Sequence, residues 1–186
     1  MKAEKKTVKK EMKTENKVVK AENIMRAPYI EKVIMSGGAT KDNLAKEKKL
    51  LEIITSRKAE VVASRKRIPD FGVNPGLEVG TRVTVRGQPA MTLLGRLLGA
   101  KDNVLKARHV VENHFSFGVK EYIEIPGIEY QRDIGIRGFN VTVVFARKGL
   151  RVPRKKIKSG SLPKKQRVSK QEIIKFMEDN FKTKFE

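Results

Sequence analysis

The strongest pattern of apolar and polar positions in the chain is the alternation over Val79–Arg86. In an extended strand, successive side chains point to opposite sides of the sheet. One side would carry Val79, Thr81, Val83 and Val85, and the other Gly80, Arg82, Thr84 and Arg86. The pattern predicts a strand with one face in a core and a second, open face that is cationic and can donate hydrogen bonds.

Other short runs of apolar and β-branched residues predict further strands. They cover Tyr29–Ser36, Glu60–Ala63, Phe117–Ile125 and Phe139–Phe145. Between the second of these and the alternating strand, residues 64–78 contain two prolines and two glycines and show no period. This segment is longer than a usual strand connection and is predicted to be a loop.

Helical spacing of apolar residues predicts three helices. The first begins at Lys41, with an apolar face formed by Leu44, Leu50, Leu51, Ile53 and Ile54. The second begins near Pro89 and runs through Met91, Leu94, Leu97 and Leu98. The last is capped by Ser169 with Glu172 three positions later, a capping box, and buries Ile173, Phe176 and Met177.

The order of these elements predicts an α+β fold. Consecutive strands without intervening helices favour an antiparallel or mixed sheet with helices packed on one face. The other face would be open and basic, similar in outline to an RRM, and sheets of this kind commonly bind RNA.

Composition reduces the number of function classes that fit the chain. Among 186 residues, 42 are Lys or Arg and 21 are Asp or Glu, a net charge of +21 that implies a polyanionic partner. Cys is absent, which excludes disulfides, thiolate metal sites and cysteine nucleophiles. No apolar run suits a membrane span or a secretory signal. No basic amphipathic helix with an aromatic or Leu face is evident either, so nucleic acid is favoured over a membrane surface.

The charge divides the chain into four segments. Residues 1–23 are basic, without aromatics, and are predicted to be a disordered extension, either a solvated tail or an arm along RNA. Residues 24–146 would form the RNA-binding domain. Residues 147–170 hold 11 basic and no acidic residues, a basic tail segment for which phosphate contact is favoured over simple solvation. Residues 171–186 would form a C-terminal helix packing on the domain.

Three motifs were considered as carriers of chemistry. The turn Ser36–Thr40 is Gly-rich but matches no nucleotide-binding motif; it is either an ordinary turn or one that meets an RNA phosphate. Arg137–Phe145 partly resembles an RNP1 strand, although a core strand is the favoured interpretation because Asn140 breaks the motif. His109 and His114 lack a catalytic partner at a suitable spacing, so a structural or surface role is favoured.

Four segments, in order, resemble the ribosomal large-subunit protein L-five family, which binds 5S rRNA. They are Met25–Ser36, Arg67–Gly87, Asn113–Tyr130 and Asp133–Val144. Gly149–Phe181 resembles the archaeal and eukaryotic branch, whose eukaryotic member is called L-eleven, and is closer to the archaeal type. The resemblance covers roughly residues 24–185.

The resemblance implies a structural protein of the cytoplasmic ribosome that is not an enzyme and needs no cofactor or metal. Its partners would be 5S rRNA, large-subunit rRNA, other proteins of the central protuberance, the P-site tRNA, and a small-subunit head protein across a bridge. Loop 64–78 would stay exposed, disordered or mobile in the free protein and would reach the tRNA in the ribosome. An alternative is that Phe71 returns to the core and the loop is only a connector.

Site residues follow from the alternation, the basic run and the resemblance together. In the family, an Asn and a Gln that are expected to bind 5S rRNA stand where this chain has Ser36 and Arg57, while the strand Thr is kept as Thr84. The predicted rRNA-binding residues are Lys32, Ser36, Arg57, Lys58, Arg82, Thr84, Arg86, Arg154, Lys155 and Lys156. The predicted tRNA-binding residues are Arg65, Lys66, Arg67 and Phe71.

Two other classes of function compete with this hypothesis. An RNA-acting enzyme would need a cofactor loop, or a nucleophile with its base, and the sequence offers neither. A free RNA chaperone would bind many RNAs equally, whereas a member of this family should select 5S rRNA.

Overall fold

A computed structural model describes residues 25–40 and 42–186 of the chain. Its main sheet has six strands in the order β2-β3-β1-β7-β6-β5. The strands are β1 (Tyr29–Gly38), β2 (Glu60–Ala63), β3 (Glu78–Val85), β5 (Val110–Val111), β6 (His114–Val119) and β7 (Phe139–Ala146), and a separate pair is formed by β4 (Val104–Leu105) and β8 (Lys184–Phe185). The helices are α1 (Asp42–Thr55), α2 (Gln88–Gly99), α3 (Arg151–Arg154) and α4 (Lys170–Phe181).

Every pairing in the main sheet is antiparallel, with β1 lying between β3 and β7. The buried residues of α1, α2 and α4 form one hydrophobic core with the inward-facing residues of the sheet. The predicted α+β fold, with helices on one face of an antiparallel sheet, is therefore confirmed. Within the described residues, no helix is long and apolar enough to cross a membrane.

The alternation of β3 is confirmed from Thr81 to Val85, while Val79, which was expected in the core, is half-buried. Thr81, Val83 and Val85 are buried, while Arg82 is exposed and Thr84 is half-buried on the other face. Arg86 comes one residue after the strand.

One expectation about the apolar face of α1 was wrong. Ile53 of α1 is 43% exposed, and the polar residue Glu47 occupies the buried face in line with Leu44, Leu51 and Ile54. The reason is geometric: Leu44, Glu47, Leu51 and Ile54 recur every three to four residues and share one side of the helix, whereas Ile53 is rotated about 100° from Ile54.

The predicted strand Phe117–Ile125 is wrong beyond Val119. The chain leaves the sheet and forms a 3₁₀ turn over Tyr122–Glu124, in which Tyr122 is buried. Tyr122 and the equally buried Ile125 lie three residues apart, the period of a 3₁₀ turn, whereas a strand would have buried Ile123. The Tyr122 hydroxyl oxygen accepts a hydrogen bond from the Gln131 N–H at 2.9 Å, which fixes the turn.

The basic segment 147–170 is attached to the domain at both ends. Arg147 donates two hydrogen bonds to the Glu172 carboxylate at 2.6 and 2.7 Å, and Val168 is fully buried in the core. The predicted capping box is confirmed, because the Ser169 hydroxyl accepts from the Glu172 N–H and Glu172 accepts from the Ser169 N–H. Ile173 and Met177 of α4 are buried as predicted, and Phe176 is partly buried with its ring edge-on to Phe145.

Loop 64–78 is shaped by its own backbone hydrogen bonds. The Ser64 N–H donates to the Leu77 carbonyl at 2.8 Å, and the Ile68 N–H donates to the Val73 carbonyl at 2.9 Å. A 3₁₀ turn over Pro69–Phe71 forms the tip, and Val73 is buried. Phe71 is 77% exposed, so the alternative in which it returns to the core is wrong.

The predicted extension 1–23 and the predicted helix start at Lys41 lie outside the described residues. The division of the chain at residues 146 and 170 stays a prediction.

Candidate nucleic-acid interface

The uncovered side of the sheet carries a row of side chains that crosses five strands. In the register, Ser36 lies between Arg82 of β3 and Asn140 of β7. Arg82 in turn faces Glu60 of β2, and Asn140 faces Gly118 of β6. Apart from Gly118, which has no side chain, the row is polar, and its residues are exposed or half-buried. The open face that the alternation of one strand predicted therefore extends over most of the sheet.

Arg82 is held in place by a neighbour. Its Nη2 lies 3.0 Å from Glu60 Oε2, and both side chains are substantially exposed. A pair of this kind contributes only about 0–1 kcal/mol to stability, because water screens it. The guanidinium therefore remains available to a phosphate, although Glu60 competes for it.

Several predicted cations gather at one end of this face. Val33 of β1 pairs with Val85 of β3. Continuing this antiparallel pairing by one residue brings Lys32 beside Arg86. Arg57 and Lys58 are exposed and come just before β2, whose first residue, Glu60, pairs with Arg82, so their backbone lies at the Thr84 end of the sheet. Arg154 reaches the start of β1, where it forms an ion pair with Glu31. We call Lys32, Arg57, Lys58, Arg86 and Arg154 the cationic end.

The basic run continues the cationic end. Residues 151–160 are exposed throughout, including Lys155 and Lys156. Because Arg147 and Val168 fix the two ends of the run, its exposed cations are kept near the sheet. The structure thus brings the predicted rRNA-binding residues together from four separate stretches of sequence.

The predicted tRNA-binding residues lie at the opposite end of the strands, on the loop between β2 and β3. We call residues 64–77 the loop end. Arg65, Lys66, Arg67 and Phe71 are all exposed there. A groove of ≈ 410 Å³ separates the loop from the start of α1 and is lined by Ile68, Phe71, Val73, Asn43 and Arg137, among others.

Beneath the loop end, a carboxylate is buried against a glycine. Glu47 is 2% exposed, and a Cβ at Gly37 would lie 1.9 Å from its Oε1. Burial raises the pKa of the Glu47 carboxyl above its usual value, and Arg137 at 4.0 Å partly offsets the rise. Arg137 also donates to the Asn43 side chain at 2.5 Å and to the Ile134 carbonyl at 3.2 Å, so it ties α1 to the turn before β7. This cluster supports the backbone that carries Ser36.

The motifs considered from sequence have mostly structural roles. Gly37 and Gly38 are strand residues, and the Ala39 N–H donates to the Val79 carbonyl at 3.1 Å, so this amide is occupied and cannot bind a phosphate. Phe139 and Phe145 of the RNP1-like segment are 3% and 2% exposed, which confirms that it is a core strand.

The two histidines are surface residues. His114 Nδ1 lies 3.2 Å from the Glu112 carbonyl oxygen, and His109 lies on the open side of the sheet near Ser116. Within the described residues, no group of acidic and His side chains could hold a metal ion.

Sequence reasoning missed three polar side chains of the open face: Ser116, Asn140 and Thr142. They lie in a groove with Ser36 and His109. The signal that would have found them was present, since Phe139–Val143 alternates apolar and polar residues as β3 does. The same segment also resembles an RNP1 strand, but the aromatic residues of that resemblance, Phe139 and Phe145, are buried.

These features define a class: a strongly basic α+β protein whose uncovered sheet face carries cations, hydroxyls and an amide. Comparison with known proteins specifies the family within that class. The family model that describes the C-terminus of ribosomal L5 proteins matches residues 78–176.

Whole-chain relatives agree with this match. The large ribosomal subunit protein uL5 of Picrophilus torridus is 35% identical over 167 residues, which is 88% of this chain and 95% of that protein. The uL5 proteins of Methanosphaera stadtmanae and Sulfolobus acidocaldarius are 33% and 36% identical, covering 88% and 87% of this chain and 99% and 93% of their own lengths. The chain belongs to the ribosomal L5 family; it is a structural constituent of the large ribosomal subunit and not an enzyme.

Proposed function

We propose that this protein binds 5S rRNA in the central protuberance through the open face of its sheet and its cationic end. The observation that carries the proposal is the convergence of Lys32, Arg57, Lys58, Arg86 and Arg154 beside the uncovered Arg82–Ser36–Asn140 row. Phosphates would be neutralised by the cations, and hydroxyl and amide groups on the row would fix the register on the RNA.

The second part of the proposal is a contact between the loop end and the P-site tRNA. Phe71 is exposed at the tip of a loop whose backbone is internally hydrogen-bonded, and three consecutive cations precede it. An aromatic ring offers a stacking surface for a nucleobase, and the cations offer charge to the adjoining phosphates. The contribution to a bridge with the small-subunit head rests on the family resemblance, as do the contacts with neighbouring proteins and large-subunit rRNA.

A gel-shift comparison of 5S rRNA with an unrelated RNA of equal length tests the main proposal. We expect 5S rRNA to bind more tightly at every salt concentration. The free RNA chaperone is the second candidate, favoured only by the strong net charge. Equal affinity for both RNAs would support that candidate and contradict selective 5S rRNA binding.

A further inference from the structure

A groove on the open face lies away from the cationic end, between β1, β7 and β6. Its volume is ≈ 350 Å³, and its lining includes Ser36, Ser116, Asn140, Thr142 and His109. In the register, Ser36 pairs with Asn140 and Ser116 pairs with Thr142. Directly paired side chains on one face lie about 5 Å apart, so these four groups can contact a single small planar molecule.

Four polar side chains of this groove have no hydrogen-bond partner among the described residues, whereas His109 Nε2 accepts from Arg108 Nε at 3.4 Å. In the described part of the chain, the hydroxyls of Ser36, Ser116 and Thr142 and the amide of Asn140 make no hydrogen bond to another residue. A hydroxyl and an amide can each donate and accept, which suits the mixed donor and acceptor edge of a nucleobase. The imidazole of His109 adds a flat surface on which a base can stack.

The residues that line the groove are uncharged. No Lys, Arg, Asp or Glu is among them, although Arg82 lies beside Ser36 in the register and Arg108 donates to His109 at the edge of the groove. Phosphates are attracted to cations, so a neutral groove suits the uncharged part of a nucleotide.

A second groove, which is lined in part by lysines, lies immediately beside the first. This one has a volume of ≈ 420 Å³ and shares Ser36, Gly118 and Asn140 with the first. Lys101 and Lys120 line it, together with Gly37, Gly38 and Gly138. A Cβ at Gly138 would lie 2.6 Å from the Lys120 carbonyl oxygen, so this wall has to be bare backbone. Glycines allow a sugar–phosphate chain to approach closely, and the two lysines supply charge for its phosphate.

We propose that the two grooves together bind one unstacked ribonucleotide of an RNA, with its base against Asn140, Ser116 and Thr142 and its phosphate between Lys101 and Lys120. The inference rests on the proposed RNA-binding function and adds a base-reading site to it. Asn140 is the residue that distinguishes bases, because its amide both donates and accepts. Gly118 keeps the site open, because a Cβ there would lie 3.3 Å from Asn140 Oδ1.

Nuclear magnetic resonance of the ¹⁵N-labelled full-length protein tests the site directly. The probe is an unstructured single-stranded RNA of about ten nucleotides, a length that ordinary single-strand sites accommodate. We expect the Asn140 side-chain amide and the backbone amides of Ser116 and Gly118 to shift on titration. Shifts confined to the cationic end would overturn the proposal, and this measurement needs no variant.

Two variants separate the two grooves. Asn140→Leu removes the amide from an exposed position at nearly constant volume, and we expect it to weaken oligonucleotide binding about tenfold without changing the salt dependence. Lys101→Gln with Lys120→Gln should instead reduce the salt dependence. Thr92→Leu, the same kind of polar-to-apolar change on α2, is the control and should bind as the unmodified protein does. Asn140→Leu binding at full strength would overturn the proposal.

Two further comparisons distinguish the remaining possibilities. Titration with the four ribonucleoside monophosphates should give much weaker binding than the oligonucleotide; equal affinity would overturn the assignment to RNA in favour of a free nucleotide.

If the protein fails to prefer 5S rRNA in the gel shift but the Asn140 amide still responds to the oligonucleotide, 5S selectivity fails and the groove assignment stands. If 5S preference is present and Asn140→Leu has no effect on either RNA, the groove assignment fails alone.

Discussion

The two ends of the open sheet face meet solvent in different ways. The cationic end takes charged side chains from β1, the connection before β2, the end of β3 and the basic run. The loop end is one continuous stretch, whose backbone is tied by hydrogen bonds from Ser64 to Leu77 and from Ile68 to Val73. Its most exposed large hydrophobic side chain is that of Phe71.

Because of this difference, the two ends would recognise RNA in different ways. Long cationic side chains from separate stretches attract phosphates but specify little geometry, because a lysine acts as a point charge. A hydrogen-bonded loop with an exposed ring presents one defined surface at lower cost in side-chain entropy. We therefore expect substitutions at the cationic end to change salt dependence, and substitutions at the loop end to change one particular contact.

The largest effect is expected from neutralising four residues of the cationic end. Changing Lys32, Arg57, Lys58 and Arg86 together to Gln should lower the slope of log affinity against log salt for 5S rRNA by roughly 3, since each lost phosphate contact removes about 0.7–0.9. Filter binding over a range of salt concentrations measures the slope. The matched control changes four helix-borne cations to Gln, namely Lys46, Lys49, Arg96 and Lys175. An equal fall in slope with the control would show that net charge alone matters and that the cationic end is not a site.

Within the open row, Arg82 and its partner Glu60 should have effects of opposite sign. Arg82→Ala should weaken 5S rRNA binding by about 1–3 kcal/mol through loss of a charged hydrogen bond. Glu60→Gln should strengthen binding slightly, because it frees the Arg82 guanidinium from its 3.0 Å ion pair. Gel shifts at constant salt measure both changes. Val83→Ala, on the buried side of the same strand, is the control and should lower stability by roughly 1–3 kcal/mol while leaving the open face intact.

At the loop end, two neighbouring substitutions should separate contact from stability. Phe71→Ala should change the free energy of unfolding by less than about 0.5 kcal/mol, because the ring is exposed, and should leave 5S rRNA binding intact. It should weaken P-site tRNA binding to ribosomes reconstituted with the variant. Val73→Ala removes a buried side chain of the same loop and should cost roughly 1–3 kcal/mol in stability. Loss of 5S rRNA binding by folded Phe71→Ala would place the loop in the 5S site and refute the tRNA assignment.

The smallest effect is expected at the buried carboxylate beneath the loop end. Because burial raises the pKa of Glu47, its contribution to stability is fully present below its usual value of 4.5 and is lost as the pH rises through the folded-state value. Glu47→Gln should remove this part of the pH dependence and make the protein relatively more stable at neutral pH. Urea unfolding at a series of pH values measures it. A variant whose stability falls with pH as steeply as that of the unmodified protein would show that Glu47 does not titrate in this range.

Local patterns in the sequence predicted much of the fold. The alternation of β3 was sufficient to predict which side chains point to the core and which to the open face, because a strand with one buried face permits only one such assignment. The Ser169–Glu172 capping box was readable because both hydrogen bonds lie within four residues. Tyr122 and Ile125 were assigned to a strand because Phe117–Ile125 is rich in apolar and β-branched residues. Their 3₁₀ turn depends on a contact distant in sequence, since the Gln131 N–H donates to the Tyr122 hydroxyl oxygen.

The candidate site depended more on the tertiary structure. Arg82 and Thr84 were predictable, since their orientation follows from a single strand. Asn140, Ser116 and Thr142 were not combined into a groove, because their proximity depends on the pairing of β1, β6 and β7. Periodicity gives the side of a strand on which a residue lies, and register gives its neighbours.

By itself, the sequence determined the α+β class, the polyanionic partner, the cationic side of β3 and the cap of α4, because each depends on composition or on residues close together in the chain. The tertiary structure alone decided that four distant stretches meet at the cationic end, that Glu47 is buried under Gly37, and that a neutral groove adjoins a lysine-lined one. These features depend on contacts between residues far apart in sequence. Strand order and register set such contacts, and no local pattern encodes them.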